Sequence, residues 1–421
     1  MTKNKIQSIK GTYDLLPQEI SKWQYVENKL REIFTLYNFF EIRTPIFEKS
    51  TLFSRSVGEL TDIVNKEMYT FQDKGKNFLT LRPELTASIV RAFIQHNFQQ
   101  ISSIHKLWYY GPLFRQEKPQ AGRYRQFSQF GSEIFGSAYP ESDVELIDMA
   151  YTIYQKLGLK NFKLYINSLG GNESRNEYIK TLKSKLLPHK ENLCKTCQTR
   201  FDNNTLRLFD CKNRDCKKVM KEHAPLIIEH LSEPEREYFE EVKSLLDELK
   251  IEYEVDPRMV RGLDYYTNTI FEIRSENLGS QDALCGGGRY NNLIEELGGK
   301  STPAIGFAGG MERLIISMES ENLFSDKSKK LDIFIAPMND NVRIEAIKIA
   351  KTIRENGHSV DMDFQRRSVK AMMREANRKN AKYSVVIGEN ELQSKQLNVK
   401  NMDTGETKSI SIEKINEFLS A

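Results

Sequence analysis

The stretch YGPLFRQEKPQAGRYRQFSQFGSE, residues 110–133, decides the fold of the first part of this chain. Two runs of strand-forming residues flank a polar loop rich in Pro, Gln, Gly and Arg, which predicts a long antiparallel hairpin. Side chains two positions apart share a face of a strand, so we expect Arg115 and Glu117 to point the same way. The same argument groups Phe127, Gln129 and Glu133.

The hairpin carries side chains suited to a nucleotide. A guanidinium fork fits a phosphate, a carboxylate can accept from an exocyclic amine, and an aromatic face can stack on a base. The cations are Arg115, Lys118, Arg123 and Arg125. The alternative is a solvated basic hairpin, which is disfavoured because polar residues on both faces form no core. The chain lacks a G-x-x-x-x-G-K-[ST] phosphate loop, so the pattern indicates a nucleotide site on a sheet.

Beyond the hairpin, short strand patterns and amphipathic helices predict an α+β domain over residues 1–325, an antiparallel sheet flanked by helices. A charged, helical pattern over residues 174–250 predicts an inserted module. Residues 319–330 are polar and lysine-rich and are typical of a linker. Strand and helix patterns then alternate over residues 331–421, which predicts a small α/β domain with a mostly parallel sheet.

Composition limits the possible classes of protein. A chain of 421 residues is too long for one core and fits two or three domains. The net charge of +4 neither requires nor excludes nucleic acid. No apolar run is long enough for a membrane span, and the polar start is not a secretory signal. Five cysteines without an export signal favour a reducing compartment, so we expect a cytoplasmic protein without disulfides.

Two further clusters could bind a ligand. Residues 260–266, VRGLDYY, place an arginine in a glycine-bearing turn, where it could face an anion, beside two tyrosines that could wall a small polar ligand. Residues 285–290, CGGGRY, precede TPAIGFAGGMER at residues 302–313. Glycines permit close approach of the backbone to a ligand. Either cluster could instead be structural, and a glycine run is more often a turn.

Four of the cysteines lie in the predicted insert: Cys194, Cys197, Cys211 and Cys216. Their spacing, C-x2-C followed by C-x4-C, is close to that of a zinc ribbon, and basic neighbours would favour thiolates. Free buried cysteines also serve as small apolar residues. Both interpretations stay open here, and a zinc site would be structural, closed and remote from the nucleotide.

Together these segments resemble a class II aminoacyl-tRNA synthetase, specifically the histidine-specific family, over nearly the whole chain. KGTYDLLP at residues 10–17 is similar to the family's N-terminal signature. Residues 41–48 resemble motif 1, the dimer-interface element. Phe114-Arg115-x-Glu117 with its loop resembles motif 2, and residues 306–314 resemble motif 3. RGLDYY and CGGGRY are similar to the two histidine-specific motifs.

The resemblance implies activation of histidine by ATP with Mg²⁺, followed by transfer to tRNA(His). It implies that Arg115 binds the α-phosphate and that Arg261 stabilises the transition state from the opposite side. Glu117 and Phe127 would hold adenine, while Arg123 and Arg313 would hold the outer phosphates. The substrate histidine would be surrounded by Glu84, Leu85, Thr86, Arg115, Gln129, Glu133, Arg261, Tyr265 and Tyr266. Many relatives have glycine at position 85; because leucine avoids positive φ, we expect an ordinary backbone there.

The tRNA contacts implied by the resemblance lie in two places. Lys118 and Gln120 of the motif 2 loop would read the extra 5′ guanine of the acceptor end. The C-terminal domain would bind the anticodon, where Arg366, Lys370, Arg374, Arg378 and Lys382 recur every four residues and are expected on one helix face. A solvated charged face is the alternative. A homodimer through motif 1 is expected, and a histidine-sensing regulatory paralogue and an RNA-binding module without chemistry are the rival functions.

Overall fold

The computed structural model describes residues 5–58, 61, 63–324 and 331–420. The chain forms two compact units, one within residues 1–325 and one within residues 326–421. The end of the predicted linker, residues 325–330, lies outside the described residues. Among the helices in the described ranges, none combines the length and the apolar character that crossing a membrane requires.

The described residues of the first unit contain the following strands: β1 (Phe40–Glu41), β2 (Phe47–Lys49), β3 (Tyr69–Gln72), β4 (Phe78–Leu81), β5 (His105–Phe114), β6 (Gln126–Phe135), β7 (Phe162–Ser168), β8 (Tyr253–Val255), β9 (Thr267–Ser275), β10 (Ala283–Arg289) and β11 (Ala304–Gly310). Its helices are α1 (Pro17–Leu36), α2 (Ser50–Val57), α3 (Thr86–Gln95), α4 (Pro140–Lys156), α5 (Asn172–Leu186), α6 (Lys195–Asn203), α7 (Arg214–His223), α8 (Glu233–Glu248), α9 (Leu293–Glu296) and α10 (Met311–Ser320). A π-helical turn covers Ile63–Glu67, and β3 begins after it at Tyr69.

An eight-stranded sheet forms the centre of the first unit, in the order β1-β5-β6-β11-β10-β9-β7-β8. Its inner pairs are antiparallel, which confirms the predicted antiparallel sheet flanked by helices. Among the described strands of this sheet, the two edge pairs, β1 with β5 and β7 with β8, are parallel. Helices α1, α4, α8 and α10 bury their apolar sides in one core, where Phe34 stacks on Trp108 at 4.7 Å.

The predicted hairpin is present as β5 and β6, whose register runs from His105 opposite Phe135 to Phe114 opposite Gln126. Arg115 and Glu117 lie just beyond β5, so strand alternation does not set their directions. The turn is instead closed by a hydrogen bond from the Arg115 amide to the Arg125 carbonyl, 2.9 Å. Both side chains still reach the same cavity.

The glycine run at residues 286–288 is not a turn, contrary to the more common behaviour of such runs. It lies inside β10, between β9 and β11. A methyl group at Gly287 would meet the Gly306 carbonyl oxygen at 2.4 Å and Phe307 Cβ at 2.5 Å. The absence of side chains therefore lets atoms of the neighbouring strand β11 approach this strand closely.

The inserted segment is helical and consists of α5 to α8 with short 3-10 turns between them. One such turn, Thr205–Asp210, joins α6 to Cys211, and Leu208 and Thr205 of this turn are buried. The insert contributes Tyr178, Leu182 and Cys197 to a core that also contains Tyr265 and Tyr290, which lie outside the insert. The insert is thus packed against the central sheet.

The second unit has a five-stranded sheet in the order β13-β12-β14-β15-β16. Its strands are β12 (Leu331–Pro337), β13 (Val360–Met362), β14 (Ala381–Ile387), β15 (Gln396–Asn401) and β16 (Thr407–Ser411), and its helices are α11 (Arg343–Glu355), α12 (Val369–Arg378), α13 (Glu389–Ser394) and α14 (Ile415–Ser420). The first two pairs are parallel and the last two antiparallel, so the sheet is mixed and the expectation of a mostly parallel one is wrong.

The basic stripe expected in this unit is shorter than its sequence period suggests. Lys370, Arg374 and Arg378 lie exposed on α12. Arg366 precedes the helix in the left-handed region, with φ of 53°, and Lys382 lies in β14. Spacing by four residues aligns side chains on one face only within a single helix. The predicted common face therefore holds for the three cations on α12 and not for Arg366 and Lys382.

Candidate active site

A cavity of about 590 Å³ opens on the central sheet between the β5–β6 loop and the insert. The part of the first unit outside the insert supplies its walls from β6, β9, β10, β11, the start of α10 and the loop before β9. The lining includes seven of the predicted site residues: Arg115, Glu117, Arg123, Phe127, Gln129, Arg261 and Arg313. Strands that are neighbours in the sheet but distant in the chain therefore bring these residues together.

One wall of the cavity is cationic. Arg313, at the start of α10, donates to the Gly122 carbonyl at 3.1 Å and to the Ala283 carbonyl at 2.9 Å. Burial and the nearby Arg123 lower the pKa of the Arg313 guanidinium. Arg123 forms an ion pair with the buried carboxylate of Glu117. Such a wall attracts a polyanion of the size of a nucleoside triphosphate.

Arg115 is held over an aromatic ring at the mouth of the hairpin. Its Nε donates to the Pro83 carbonyl at 2.9 Å, and its guanidinium carbon lies 5.3 Å from the centre of the Phe127 ring. Its Nη1 lies 3.7 Å from Glu117 Oε1. The arginine thus presents a directed fork beside a ring that could stack on a base.

Arg261 enters the cavity from the loop between β8 and β9. Its Nη1 pairs with Glu272, and its guanidinium lies 5.7 Å from the ring centre of Tyr266. It lies flat against Gly286, where a methyl group would be 2.2 Å from Nη1. Gly286 of the CGGGRY segment therefore leaves space for Arg261 of the VRGLDYY segment.

Glu133 lies at the bottom of the site, fully buried in β6. One oxygen accepts from the hydroxyls of Thr86 at 2.8 Å and Tyr109 at 2.9 Å, and the other accepts from Tyr290. The carboxylate fills the space left by Gly306, since a methyl group there would lie 1.5 Å from Oε2. Burial raises the pKa of Glu133 to about 8.

The remaining predicted histidine contacts lie behind the cavity surface. Glu84, Leu85, Thr86, Tyr265 and Tyr266 are buried and, with Glu133, are not part of the cavity lining formed by the described residues. Glu84 accepts from the Ala87 amide at 2.8 Å at the start of α3. Leu85 has φ of −105°, the ordinary backbone expected for leucine. Tyr266 and Arg261 both line an adjoining cavity of about 220 Å³, which places the tyrosine next to the site.

Sequence reasoning missed several residues of this site. Glu312 at the start of α10 accepts from the Ser128 amide at 2.9 Å and from the Tyr13 hydroxyl at 3.1 Å. Gly11, with φ of 90°, accepts from the Arg125 amide at 2.8 Å. The N-terminal signature therefore supports the motif 2 loop, and its Gly-x-Tyr pattern was the available signal.

The insert also reaches the cavity, and this was not expected. Its contribution consists of Arg200, Arg207, Asp210 and Lys212. Asp210 and Lys212 flank Cys211 in sequence, so the segment that carries this cysteine also supplies side chains to the cavity. The charge-rich composition of the insert gave no sign of which cations face the sheet.

The four cysteines of the insert converge in space. Their sulfur atoms all lie within 4.8 Å of one another, and Cys194 Sγ is 3.9 Å from Cys211 Sγ. The backbone amide of Cys197, in the first turn of α6, lowers the pKa of the Cys194 thiol to about 7. Burial raises the pKa of Cys197. Four thiols at this spacing could hold a tetrahedral metal ion.

The buried carboxyls of the site predict a pH dependence of stability. Burial raises the pKa of Glu133 to about 8 and that of Glu312 to about 7, from 4.5. Between pH 4.5 and these values the native state holds more protons than the unfolded state, so stability falls as pH rises. We expect Glu133→Gln to reduce this fall by up to about 1.4 kcal/mol per pH unit.

The measurement is the free energy of unfolding by urea at several values between pH 5 and 8. The exposed Glu19→Gln on α1 is the matched control and should leave the slope unaltered. An identical pH slope in Glu133→Gln and the unsubstituted protein would contradict the assignment.

An antiparallel sheet with an arginine-lined cavity, one arginine just after β5 and another at the start of α10, defines a class II aminoacyl-tRNA synthetase. The sequence model of the histidyl-tRNA synthetase family matches residues 11–314, and that of the anticodon binding domain matches residues 332–421. The chain therefore belongs to the histidyl-tRNA synthetase family.

Individual relatives agree over almost the full length. A histidine–tRNA ligase of Caldanaerobacter subterraneus is 49% identical over 97% of this chain and 98% of its own. One of Halothermothrix orenii is 48% identical over 95% and 96%. The crystal structure of apo Staphylococcus aureus histidyl-tRNA synthetase, 42% identical, superposes with a TM-score of 0.84 and covers 99% of this chain and 100% of that one. The chain is accordingly an enzyme, with the histidine–tRNA ligase activity of its family.

Proposed function

We propose that the cavity binds ATP and histidine, forms histidyl-adenylate, and transfers the histidyl group to the 3′ end of tRNA(His). The observation that carries the proposal is the convergence of Arg115, Arg123, Arg261 and Arg313 on one cavity with Phe127. The histidine carboxylate attacks the α-phosphate in line, and pyrophosphate leaves. Catalysis is positioning and charge stabilisation, so no side chain acts as a nucleophile.

Each side chain takes the role that its position favours. Arg115 binds the α-phosphate, and Arg261 stabilises the pentavalent phosphorus from the other side. Phe127 and Glu117 hold adenine, and Arg123 and Arg313 hold the outer phosphates, which bring Mg²⁺ with them. Glu117 exchanges its ion pair with Arg123 for a contact to the adenine amine.

Histidine is held by the buried groups beside Gln129. Imidazole has two distinct nitrogens, and a pocket of carboxylates and hydroxyls rejects analogues that lack them. Glu84, Thr86, Glu133, Tyr265 and Tyr266 supply those groups, and Leu85 fixes the backbone between the first two. Because Thr86 donates to Glu133 and Glu84 accepts from the Ala87 amide, entry of histidine exchanges contacts of this kind for contacts to the substrate.

Histidine-dependent ATP–pyrophosphate exchange tests this proposal. We expect exchange that requires histidine and proceeds without tRNA. A histidine-sensing regulatory paralogue would bind histidine without exchange, and an RNA-binding module would do neither. Exchange that is absent in a folded, histidine-binding sample would overturn the proposal.

We assign tRNA binding to two regions. The catalytic domain, residues 1–325 with the insert at 174–250, offers Lys118 and Gln120 at the exposed tip of the β5–β6 loop for the acceptor end. The domain at residues 331–421 offers Lys370, Arg374 and Arg378 of α12 for the anticodon, with Arg366 beside them. Arg366 lies 3.0 Å from Asp340 and Arg378 2.9 Å from Glu375, so these two cations would change partner on binding.

The triple substitution Lys370→Ala/Arg374→Ala/Arg378→Ala should raise the KM for tRNA by at least about tenfold. The slope of log KM against log salt concentration should fall by about two, because three cations no longer contact phosphates. Exchange, which needs no tRNA, should be unaffected. Aminoacylation measured across salt concentrations checks this. The matched control is Lys348→Ala/Lys351→Ala/Arg354→Ala on α11, which removes equal charge from exposed positions. Equal effects of both triples would mean that α12 is an ordinary charged face.

We propose a homodimer formed through the motif 1 region, residues 41–48. Exposed aromatic and aliphatic side chains cluster there and on the adjacent small sheet: Phe40, Ile46, Phe47, Phe71 and Phe78. An apolar surface of this kind favours a protein partner.

Translation is the process that uses the product, so we expect the enzyme to work in the cytoplasm.

We propose that Cys194, Cys197, Cys211 and Cys216 bind one structural zinc ion. Sulfur ligands about 2.3 Å from zinc lie roughly 3.8 Å from one another, close to the 3.9 Å between Cys194 and Cys211. Purified protein should contain about one equivalent of zinc per chain, and Cys194→Ser should contain less than about half of that. Metal analysis decides, with Cys285→Ser, a buried cysteine outside the cluster, as the control that should retain zinc. Equal zinc in both variants would refute the site.

A further inference from the structure

Polar side chains of the insert contact the loop that carries Arg261: Arg175 donates to the Tyr266 carbonyl at 2.6 Å, and Asn204 and Arg207 contact residues nearer the arginine. Asn204 Nδ2 donates to Asp264 Oδ1 at 3.0 Å. Arg207 Nη1 lies 3.1 Å from Asp210 Oδ2 and donates to the Arg261 carbonyl at 3.5 Å. Asn204 directly precedes the 3-10 turn Thr205–Asp210, and Arg207 lies within it. The backbone of the catalytic arginine is therefore bonded to the insert.

The fit between turn and loop is close. A methyl group at Gly262 would lie 3.0 Å from Arg207 Nη1, so the glycine after Arg261 lets the arginine of the insert approach. A shift of the turn would therefore be transmitted to the loop. A displacement of about 1 Å in a catalytic group can cost about a hundredfold in rate.

The same turn is anchored by the cysteine cluster. Cys197 lies in α6, which leads into the turn, and Cys211 follows it directly. Arg200, also on α6, donates to the Arg207 carbonyl at 3.3 Å. Cys197, before the turn, and Cys211, after it, bring their sulfur atoms together in the four-cysteine cluster.

We propose that the insert positions Arg261, with Asn204 and Arg207 as positioning residues, and that metal at the cysteine cluster sets the rate of adenylate formation through them. The inference rests on the proposed zinc site and the proposed role of Arg261. A bound metal fixes the segment at Cys197 and Cys211, and so fixes the turn and the loop. Loss of metal loosens the turn and lets Arg261 leave its place against Gly286 and Glu272.

A polarity swap tests the contact. Asn204→Asp faces the Asp264 carboxylate with a second carboxylate, and we expect kcat for pyrophosphate exchange to fall about tenfold with smaller changes in the KM for ATP and histidine. The double variant Asn204→Asp/Asp264→Asn restores one amide and one carboxylate and should recover kcat to within about threefold. The exposed neighbour variant Asn203→Ala is the control and should match the unsubstituted enzyme.

The metal link is tested on the full-length enzyme, loaded with zinc or stripped by a chelator, with zinc content and thermal midpoint measured in each sample. Stripping should lower exchange kcat about tenfold in the unsubstituted enzyme and by clearly less in Asn204→Asp, because both changes act through one contact. Zinc that binds and leaves without altering exchange, or a double variant that stays as slow as Asn204→Asp, would overturn the inference. Absence of zinc binding would refute the metal site itself, and the swap would then overturn or support the contact alone.

Discussion

Replacing Arg261 by alanine is expected to lower histidine-dependent ATP–pyrophosphate exchange by about a thousandfold, with at most a few-fold change in the KM for ATP. The guanidinium is fixed by Glu272 and by the face of Tyr266 before substrate arrives. A preorganised cation of this kind stabilises charge that develops only in the transition state, so its loss lowers kcat and not binding. Single-turnover adenylate formation measures the effect directly.

Two variants sharpen this test. Arg261→Lys keeps the charge and loses the planar fork, so an intermediate loss of rate is expected. Arg236→Ala removes an exposed arginine of α8 that does not line the cavity and should leave exchange within a few-fold. A folded Arg261→Ala protein with exchange within tenfold of normal would disprove the assigned role.

The second large effect is expected at Gly286, which touches no substrate in the proposed mechanism. Alanine there would place a methyl group 2.2 Å from Nη1 and 2.4 Å from the guanidinium carbon of Arg261. Gly286 lies opposite Glu272 in β9 and Ala308 in β11, so the strand cannot shift aside without breaking both pairings. Arg261 must move instead, and we expect exchange to fall by about a hundredfold.

Gly310→Ala is the matched control for this substitution. Gly310 also lines the cavity, but its φ of −81° suits any residue, and a methyl group there would be no closer than 3.7 Å to Arg313. It should retain exchange within a few-fold, with an unfolding midpoint near that of the unsubstituted protein. If both alanine variants were equally active, the contact between Gly286 and the Arg261 guanidinium would not hold the arginine in its active position.

The hairpin and its arginines could be predicted because their signal is local. Runs of strand-forming residues on either side of a polar loop rich in Pro, Gln, Gly and Arg specify β5 and β6, and a cation after a strand points to an anion site. The surroundings of Glu133 could not be predicted this way. Its hydroxyl donors, Thr86, Tyr109 and Tyr290, come from α3, β5 and the end of β10, and only the tertiary fold brings them together.

The failed predictions share a physical cause. The stripe in the second unit was extended past the helix, because the sequence period does not show that Arg366 adopts a positive φ. The glycines of β10 lie in a strand and not in the turn that was the alternative, because single-residue conformational freedom does not reveal that a guanidinium needs the space. The cations of the insert were overlooked because a charged helix face looks the same whether it meets water or a cavity.

The strand order of the central sheet also has a consequence for synthesis on the ribosome. β6 pairs with β11, which begins at Ala304, although the hairpin is complete by Phe135. Until β11 is synthesised, the backbone N–H and C=O groups on one edge of β6 have not yet met their partner strand in the nascent chain. Exposed strand edges of this kind promote aggregation and chaperone binding. Arg313, one of the proposed phosphate ligands, is made later still. Adenylate-forming capacity should therefore arise in one late step of translation, before the tRNA-binding unit is finished.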